Sequence, residues 1–450
     1  MTNQNDDQLI KNIFDNVDIL KNYSGVEWKT QNSRENDILF YNLPNQSDKS
    51  VSVFKKRISK AKFKICLLNS DIEFEDERII NSSSDDIYAI KEALLNLFYP
   101  LKKELYFIGV TGTNGKTTTV DLIRQMAIKK NIGVMTFGTL GVFVNSVKVN
   151  NHSLTTPDYI DLRKDIFKQQ GSVEVVAMEL SSIALVQKRS GGIKFDKIGW
   201  TNFTQDHLDD HGSMDNYFKA KMIVYSRLSQ TGNIYFPMEQ IQLLEKIKHD
   251  KSKYVIKCPY LKNPFFKIQH NKENLSLAIE LINEKAKLNS NELESLTAPD
   301  GRANIIEYKN NFIVVDYAHT PDGVLSITSS LKESFPEKML ITLFGCGGDR
   351  DKTKRALMAQ AAEKNSDSVI LTSDNPRFED PVLIIKDAQK GFEKEQMIII
   401  DRREAIKYAI NNLDDSVLLV AGKGHEDYLD IQGVKEPYND HDWIMENIND

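Results

Sequence analysis

The stretch GVTGTNGKTTT, residues 109–119, contains the residue types that bind phosphate groups. Gly112 and Gly115 allow a tight turn whose successive backbone N–H groups point at one anion. Lys116 can then reach the outer phosphates of a nucleotide, and the Thr117 hydroxyl can hold magnesium. The first glycine of the usual pattern lies one position early, and a Gly-rich turn with a solvated lysine is the alternative. The apolar run before the turn and the helical pattern after it favour nucleotide binding.

Carboxylates and histidines are concentrated at two further places. Glu179 lies near the end of the apolar run VEVVAMEL, where the carboxyl end of a parallel strand faces a ligand crevice and can present a magnesium ligand. An ordinary solvated glutamate at a strand end is equally consistent with the spacing. Residues 206–211, DHLDDH, contain three aspartates and two histidines. They lack a zinc-ligand spacing, so a polar loop is as good an interpretation.

These candidate residues lie within alternating strand and helix patterns. A strand pattern at 105–110, the glycine turn and a helix pattern at 117–130 form one βα unit of a parallel sheet. Beyond the turn-rich segment 297–302, four apolar runs alternate with helix patterns and predict another open α/β sheet. We therefore predict an α/β protein of three domains, with residues 1–102 as a small α/β unit, residues 103–300 as a doubly wound parallel sheet and residues 301–450 as a second such sheet.

The composition excludes several classes of protein. The 450 residues are 40% hydrophobic and 27% charged, which is too apolar for wholesale disorder. The formal net charge of -6 argues against a nucleic-acid partner, so local cations must hold any anionic ligand. The three cysteines are far apart, the N-terminus is polar and acidic, and no apolar run approaches about 18 residues. These features predict a cytoplasmic protein with neither a disulfide framework nor a membrane span.

A set of short motifs occurs in one order along the chain. They are GTNGKTT (112–118), TTPD (155–158), MELSS (178–182), DHLDDHG (206–212), VDYAHTPD (315–322), FGCGGDRD (344–351), DNPR (374–377) and AGKGHED (421–427). In this order they resemble the motifs of the Mur ligase family. The resemblance covers residues 109–427, and before that only NSR (32–34) matches, where the family often has DSR.

This resemblance implies a fold and a reaction. The family has an N-terminal UDP-binding domain, a central P-loop ATPase domain and a C-terminal Rossmann-like domain that brings the amino acid. It forms amide bonds with ATP: a carboxylate of a UDP-MurNAc-peptide attacks the γ-phosphate, and an incoming amine then displaces phosphate from the acyl phosphate. Because anions must meet, two magnesium ions and lysines are expected at the site. The family is usually monomeric, so we expect a monomer.

The resemblance also implies roles for residues of the central domain. The implied ATP contacts are Gly112, Thr113, Asn114, Gly115, Lys116, Thr117, Thr118, Asn274, Arg302 and Asp316. Thr117 and Glu179 would hold one magnesium ion and His207 a second. The family carbamylates a lysine with carbon dioxide to make a further metal ligand, and that lysine aligns with Lys221, with Lys219 as the nearby competitor. The implied catalytic residues are Lys116, Glu179, His207 and Lys221.

The implied muramoyl-peptide contacts lie in the NSR, TTPD and MELSS motifs and in the residues that follow MELSS. They carry over to Ser33, Thr155, Thr156, Ser181, Gln187 and Arg189, whose hydroxyl and guanidinium groups suit sugar, peptide and phosphate. The chain departs from the family pattern at Leu154, where Asn is frequent, and at Ile183, where His is usual. It also departs after Arg302, in GRANII, where the family has GRME. A turn carboxylate is the alternative interpretation of Asp316.

The tetrapeptide DNPR indicates which amino acid is added. Pro376 fixes the turn, and Arg377 offers a planar fork that fits a carboxylate. meso-Diaminopimelate carries a second carboxylate at its far end, whereas lysine ends in an ammonium that Arg377 would repel. In the family this motif marks the diaminopimelate-adding enzymes, and a surface ion pair is the alternative for Arg377. The implied diaminopimelate contacts are Arg350, Asp374, Asn375, Pro376, Arg377, Gly422 and Glu426, the last as a partner for an ammonium.

The resemblance therefore implies a ligase that adds meso-diaminopimelate to UDP-MurNAc-L-Ala-D-Glu during peptidoglycan precursor synthesis. A lysine-adding or folylpolyglutamate-type ligase is the nearest alternative; Arg377 argues against lysine, and TTPD together with MELSS argues against folate. A non-catalytic ATP-binding regulatory protein would lack Lys116, Glu179 or Lys221, and all three are present. A generic P-loop ATPase or kinase would leave DNPR and AGKGHED unexplained.

Overall fold

The structure is a computed structural model that describes residues 4–11, 14, 17–43, 47–70, 72–82, 84–204, 206–255 and 261–449. Three open sheets account for most of the described strands, and helices lie between successive strands. The predicted α/β class is therefore confirmed. The sheets span residues 25–81, 106–254 and 304–421, whereas the domain boundaries at 102 and 300 stay predictions.

The N-terminal sheet is small and entirely parallel. Its elements are α1 (Gln4–Lys11), β1 (Gly25–Glu27), β2 (Asp37–Tyr41), α2 (Asp48–Ile58), β3 (Ile65–Leu68), β4 (Ile79–Asn81) and α3 (Ser84–Phe98). The strands pair in sequence order, β1-β2-β3-β4, so each connection passes to the next neighbour. Apolar residues of β2 and β3, including Leu39 and Leu68, pack against Phe54 of α2.

The central sheet has eight strands. Its elements are β5 (Tyr106–Thr111), α4 (Lys116–Lys129), β6 (Val134–Gly138), β7 (Gly141–Val144), β8 (Val147–Asn150), α5 (Tyr159–Gln169), β9 (Val175–Glu179), α6 (Ser182–Val186), β10 (Phe195–Trp200), α7 (Leu208–His211), α8 (Met214–Met222), β11 (Leu228–Phe236), α9 (Ile241–Ile247), β12 (Ser252–Tyr254), α10 (Gln269–Ile282) and α11 (Ser290–Glu294). The order is β12-β11-β10-β5-β9-β6-β7-β8. β7 pairs antiparallel with both of its neighbours, β6 and β8, and the other described pairs of this sheet are parallel. β7 and β8 form a ribbon at one edge.

The C-terminal sheet repeats the doubly wound arrangement. Its elements are β13 (Asn304–Tyr308), β14 (Asn311–Asp316), α12 (Pro321–Ser334), β15 (Met339–Cys346), α13 (Thr353–Asn365), β16 (Ser368–Ser373), α14 (Pro381–Gln389), β17 (Met397–Ile398), α15 (Arg402–Asn411), β18 (Ser416–Ala421), β19 (Tyr428–Ile431), β20 (Val434–Pro437) and α16 (Asp440–Asn449). The order is β13-β14-β18-β15-β16-β17, with only β13 antiparallel. β19 and β20 form a separate hairpin.

Alternate side chains of the central strands enter two different cores. Ile108 and Val110 of β5 pack toward α4 and α10, in a core that continues into the C-terminal sheet. Phe107 packs on the other face, with apolar residues of α3 and α5. Burial on both faces explains why these parallel strands are nearly continuous apolar runs in the sequence.

Several helix starts in this chain follow ordinary capping chemistry. Asp158, Thr320 and Asp380 accept backbone N–H groups at the starts of α5, α12 and α14. By contrast, α4 begins at the glycine turn with no side-chain cap at Gly115. Its first N–H groups are thereby suited to an anion.

Two further sequence expectations concern cysteines and membranes. Cys66 and Cys346 are buried free thiols whose pKa burial raises to about 12, and Cys258 lies outside the described residues. Across the part of the chain that the structure describes, no helix is long and apolar enough to cross a membrane.

Candidate active site

The carboxyl ends of β5, β9 and β10 meet at the centre of the central sheet. The phosphate loop, residues 112–115, joins β5 to α4 there. Gly112 and Gly115 have φ values of 140° and 83°, which favour glycine. A Cβ on Gly112 would collide with Thr201, and one on Gly115 would collide with the carboxamide of Asn274. Asn274, an implied ATP contact, therefore lies directly against this loop.

Asn202 holds the phosphate loop from the end of β10. Its side-chain oxygen accepts the N–H groups of Thr113 (3.1 Å) and Asn114 (2.9 Å). Two amides expected at a phosphate thus have a protein partner in this structure. Sequence reasoning missed Asn202, although its position in a polar segment directly after an apolar run was a signal.

Two lysines converge on one backbone carbonyl of this loop. Lys116 Nζ donates to the oxygens of Gly112 (3.0 Å) and Thr113 (2.8 Å), and Lys221 Nζ donates to Gly112 (2.8 Å). Burial lowers the pKa of Lys116, against the attraction of nearby carboxylates. Burial, reinforced by the charge of Lys116, lowers the pKa of Lys221 well below its ordinary value. Lys219, the competitor on the same helix, is exposed.

Glu179 ends β9 beside the start of α4. It is 1% exposed, so the alternative of a solvated strand-end glutamate is wrong. Its Oε1 accepts the Thr117 hydroxyl (3.0 Å) and the N–H of Thr139 (2.8 Å), a residue that the sequence did not single out. A hydroxyl beside a buried carboxylate provides hard oxygen ligands, and this donor set fits magnesium.

The histidine that the resemblance assigns to a metal lies near Lys221. His207 is half-exposed, with Nε2 3.4 Å from Asp206 Oδ2 and Nδ1 3.6 Å from Asp210 Oδ2. Its ring centroid is 5.9 Å from that of Tyr217, and Lys221 Nζ is 4.7 Å from the Tyr217 centroid. Among the described residues, no three His, Cys, Asp or Glu side chains form a metal-binding group.

Two of the residues implied for base and ribose lie in the C-terminal sheet region: Arg302 just before β13 and Asp316 at the end of β14. The Asp316 carboxylate accepts the N–H groups of Ala303 and Ala318, both at 2.8 Å. These bonds are those of a turn carboxylate, and its nucleotide role stays a prediction. Burial raises the pKa of Asp316 despite the nearby positive charge of Arg302. The Arg302 guanidinium lies 5.1 Å from the ring centroid of Tyr317.

A cleft of about 660 Å³ separates the N-terminal sheet from the central domain. It is lined by Trp28, Lys29, Thr30, Gln31, Phe40, Tyr41, Asn42, Arg57, Asn69, Ile87, Tyr88, Lys91, Asp158, Gln187 and Arg189. Two residues implied for the muramoyl-peptide, Gln187 and Arg189, are therefore at its wall. Arg189 Nη1 also donates to the Thr156 carbonyl (3.3 Å).

The other muramoyl-peptide residues have local partners. Thr156 Oγ1 donates to the Glu179 carbonyl (2.7 Å), which ties the TTPD loop to the end of β9. Thr155 lies 3.4 Å from the Thr139 hydroxyl, and Ser181 caps α6. Ser33 donates to the Thr30 carbonyl (2.9 Å) and is buried beside the cleft wall.

The residues implied for diaminopimelate gather around the loop after β16. Asn375 Nδ2 donates to Glu426 Oε2 (2.7 Å), across 51 residues of sequence. A Cβ on Gly422 would lie 2.8 Å from the Asp374 carboxylate, so that loop also packs closely. Burial raises the pKa of Asp374, against the charges of Arg402 and Lys423.

The two arginines of this group flank one glycine. A Cβ on Gly347 would lie 3.0 Å from Arg377 Nη1 and 3.7 Å from Arg350 Cγ. Arg377 has φ of 50° and donates from Nη1 to the Gly348 carbonyl (2.6 Å). Its backbone pairs with β19, through the Asp430 carbonyl and the Gln432 N–H. The hairpin therefore fixes the backbone of Arg377, while the side chain has a neutral partner.

Comparisons with known proteins agree on one family. The Mur ligase middle domain matches residues 110–294, and the Mur ligase, glutamate ligase domain matches residues 301–424. A curated relative from Clostridium botulinum is 33% identical, with 91% of each chain covered. One from Rickettsia typhi is 32% identical, with 94% of this chain and 93% of its own covered. The chain belongs to the Mur ligase family.

Solved structures of Mur ligases have the same fold. A UDP-N-acetylmuramoyl-L-alanyl-D-glutamate--2,6-diaminopimelate ligase superposes with a TM-score of 0.65 at 26% identity, covering 95% of both chains. A MurF ligase from Thermotoga maritima in complex with ADP superposes with a TM-score of 0.59 at 15% identity, covering 95% of this chain and 97% of its own. The predicted three-domain α/β fold and the predicted class of ATP-dependent ligase are confirmed.

One residue of this Mur ligase has more contacts in the diaminopimelate group than the sequence indicated. Lys423 is 0% exposed and donates to both Asn375 and Glu426. Sequence reasoning passed over it because a lysine in the Gly-rich segment AGKGHED is indistinguishable from a solvated loop charge. No pattern in the neighbouring residues would have revealed its burial.

Proposed function

We propose that this Mur ligase uses ATP to add meso-diaminopimelate to UDP-MurNAc-L-Ala-D-Glu, in peptidoglycan precursor synthesis. The curated relatives from Clostridium botulinum and Rickettsia typhi are both named UDP-N-acetylmuramoyl-L-alanyl-D-glutamate--2,6-diaminopimelate ligase. The lysine-adding and folylpolyglutamate-type alternatives are not favoured by these names. We further propose that the enzyme is cytoplasmic, since both of its nucleotide substrates are cytoplasmic metabolites, and that it is a monomer, as members of the Mur ligase family usually are.

One observation carries the choice of amino acid. The DNPR loop connects a cation and a carboxylate. Its Asn375 donates a hydrogen bond to the Glu426 carboxylate, and its Arg377 follows two residues later. A planar guanidinium suits the distal carboxylate of diaminopimelate, and Glu426 suits one of its ammonium groups. A ligase for lysine has no use for Arg377. Arg350, beside Arg377 at Gly347, would add positive charge for a carboxylate.

The reaction requires the enzyme to bring like charges together. The substrate carboxylate attacks the γ-phosphorus of ATP, ADP leaves, and the acyl phosphate forms. The neutral amine of diaminopimelate then attacks the carbonyl carbon, the C–O bond to phosphate breaks, and the nitrogen loses one proton to the departing phosphate or to solvent as the amide forms. Lys116, at the phosphate loop, would neutralise charge on the transferring phosphoryl group. The N-terminus of α4 would support the same oxygens.

Four residues are proposed to hold magnesium at this site. Thr117, Glu179, His207 and a carbamate on Lys221 would hold two ions, which neutralise phosphate charge when bound. Lys221 suits carbamate formation because its amine is buried against a neutral carbonyl, and no carboxylate of the described residues is hydrogen-bonded to it. Asn274, Arg302 and Asp316 would bind the base and ribose of ATP.

The N-terminal cleft is the proposed site for the UDP-sugar. Its aromatic and amide side chains suit a uracil ring, and Arg189 suits a phosphate. Thr155, Thr156 and Ser181 lie between that cleft and Glu179, on a path from the sugar to the reacting carboxylate. We assign UDP binding to residues 1–102, ATP binding to residues 103–300 and amino-acid delivery to residues 301–450.

The test is phosphate release by the purified full-length chain. ATP, magnesium and UDP-MurNAc-L-Ala-D-Glu are supplied, and meso-diaminopimelate or L-lysine is added separately. We expect turnover with diaminopimelate and at least about a hundredfold lower kcat/KM with lysine, since the lysine ammonium would face the Arg377 guanidinium. Arg377→Met should raise the KM for diaminopimelate and reduce the difference in kcat/KM between diaminopimelate and lysine. Equal turnover with lysine, or none with either amino acid, would contradict the proposal.

A further inference from the structure

Lys423 is a fully buried lysine in the loop that follows β18. Its side chain is 0% exposed, whereas lysine is almost never fully buried unless its charge is paired. The ammonium lies 3.6 Å from Asp374 Oδ1 and 3.2 Å from Glu426 Oε2. It also donates to Asn375 Oδ1 at 3.1 Å. All three partners are residues that we propose to contact diaminopimelate.

The contacts of Lys423 determine how Asn375 is oriented. Asn375 Oδ1 accepts both from Lys423 and from the N–H of Asp430 (2.9 Å). Since two donors point at one atom of the carboxamide, that atom is the oxygen, and the amide nitrogen must face Glu426. Its hydrogen bond with Glu426 Oε2 follows from this orientation. A change at Lys423 would therefore affect Glu426 both directly and through Asn375.

The two carboxylate oxygens of Glu426 consequently differ. Oε2 accepts from Asn375 (2.7 Å) and from Lys423 (3.2 Å). Within the residues that the structure describes, no hydrogen bond reaches Oε1. One oxygen is held by the protein, and the other is left for a ligand of positive charge.

We propose that Lys423 is a positioning residue, which holds Glu426 and Asn375 so that Glu426 Oε1 receives an ammonium group of the incoming amino acid. This inference rests on the proposed function. Lys423 does not touch the substrate; it acts through the two side chains that do. Its effect should therefore fall on the binding of the amino acid and leave the binding of ATP unchanged.

The central domain offers a matched control. Lys197 of β10 is also buried, at 4% exposure, and contacts the Glu280 carbonyl (2.8 Å), Asn283 (2.7 Å) and Glu284 (3.1 Å). Like Lys423, it is a buried ammonium that bonds an amide oxygen and a carboxylate. None of its partners belongs to the proposed site. Lys197→Met thus has the packing consequences of losing such a lysine without the proposed positioning role.

The experiment compares KM values in the full-length enzyme. Lys423→Met should raise the KM for meso-diaminopimelate about 10- to 100-fold, as expected for losing hydrogen bonds to a charged group, and change the KM for ATP less than about threefold. Lys197→Met should leave the diaminopimelate KM unchanged. In the double variant with Glu426→Gln, the KM should rise no further than in the worse single variant, because both changes remove one interaction.

Two results would overturn the inference. One is an equal rise in both KM values, and the other is a double variant whose effects multiply. If Lys423→Met does not fold, Lys423→Gln, which keeps a donor group, is measured under the same criteria. Wild-type enzyme that ignores diaminopimelate would overturn the proposed function and this inference together. If wild-type enzyme turns over diaminopimelate normally but the Lys423 variant does not raise the KM for diaminopimelate more than the KM for ATP, this inference alone is overturned.

Discussion

The two proposed substrate regions each contain a buried lysine, and the two lysines have opposite surroundings. Lys221, at 1% exposure, donates to the backbone carbonyl of Gly112 and lies over the ring of Tyr217. Lys423, at 0% exposure, contacts the side chains of Asn375, Glu426 and Asp374. One lysine has neutral partners, and the other lies among carboxylates.

This difference separates a reactive amine from a fixed charge. Burial and the charge of Lys116 both favour the neutral form of Lys221, which lowers its pKa. A neutral amine is the form that combines with carbon dioxide. Lys423 has carboxylate partners that match an ammonium, so its charge can orient other groups without reacting. Equal burial therefore supports two different uses of lysine, and the partners decide between them.

The largest expected effect concerns Lys221. Lys221→Ala should lower kcat about 10²- to 10³-fold, because a charge-stabilising group at the transferring phosphoryl would be lost. A short carboxylate such as formate should restore part of the activity by occupying the vacated space. Phosphate release with ATP and both substrates measures the effect. The exposed Lys219→Ala is the control and should keep nearly full activity; a strong effect there instead would mean that the wrong lysine had been chosen.

The next effect tests the comparison through stability. Lys423→Met should lower the free energy of unfolding by about 2–3 kcal/mol, since Asp374 and Glu426 would lose their buried counter-charge. Lys221→Met should change it by less than about 1 kcal/mol, because no carboxylate of the described residues is hydrogen-bonded to that amine. Urea unfolding followed by tryptophan fluorescence can resolve the two regions.

The chain has three tryptophans, one in each proposed domain: Trp28, Trp200 and Trp443. Variants with only Trp200 or only Trp443 would report on the regions of Lys221 and Lys423 respectively. Each lysine variant is compared with its own single-tryptophan parent, so domain-wise unfolding does not confuse the result. Equal destabilisation by both substitutions would remove the distinction between the lysines.

The apolar strands of the sheets could be predicted from the sequence better than the ribbon at the edge of the central sheet. β5, β9, β14, β15, β16 and β18 lie in the predicted apolar runs, because parallel strands buried on both faces leave such runs. The ribbon of β7 and β8 was not predicted. Val147 and Val149 of β8 are 64% and 42% exposed, so this strand has no buried face to impose an alternating pattern.

The candidate site was predictable where motif chemistry is local and not where it is distant. The glycine turn contains its own signal, since Gly112, Gly115 and Lys116 all lie within the five residues 112–116. The burial of Lys423 depends instead on Asn375, which is 48 residues away on another strand end. The orientation of Lys221 toward the loop depends on which side of α8 faces β5. Such contacts are set by packing between elements, and spacing along one segment does not contain them.

The smallest expected effect concerns Glu273, a carboxylate that lies near other carboxylates. Glu273 of α10 bonds Gln269 and faces Glu239 and Glu333; burial, with these like charges, raises its pKa from 4.5 to about 7. The folded protein therefore favours the protonated form, and the stability this provides is present below pH 4.5 and lost as the pH rises through 7.

Glu273→Gln does not titrate, so at pH 8 it should be more stable than wild type by about 1–2 kcal/mol, allowing for solvent screening. At pH 4 the two proteins should differ little in urea unfolding. The neighbouring His270, whose pKa burial lowers to about 4, is common to both and cancels in the difference. A constant difference at both pH values would show that folding does not raise the pKa of Glu273.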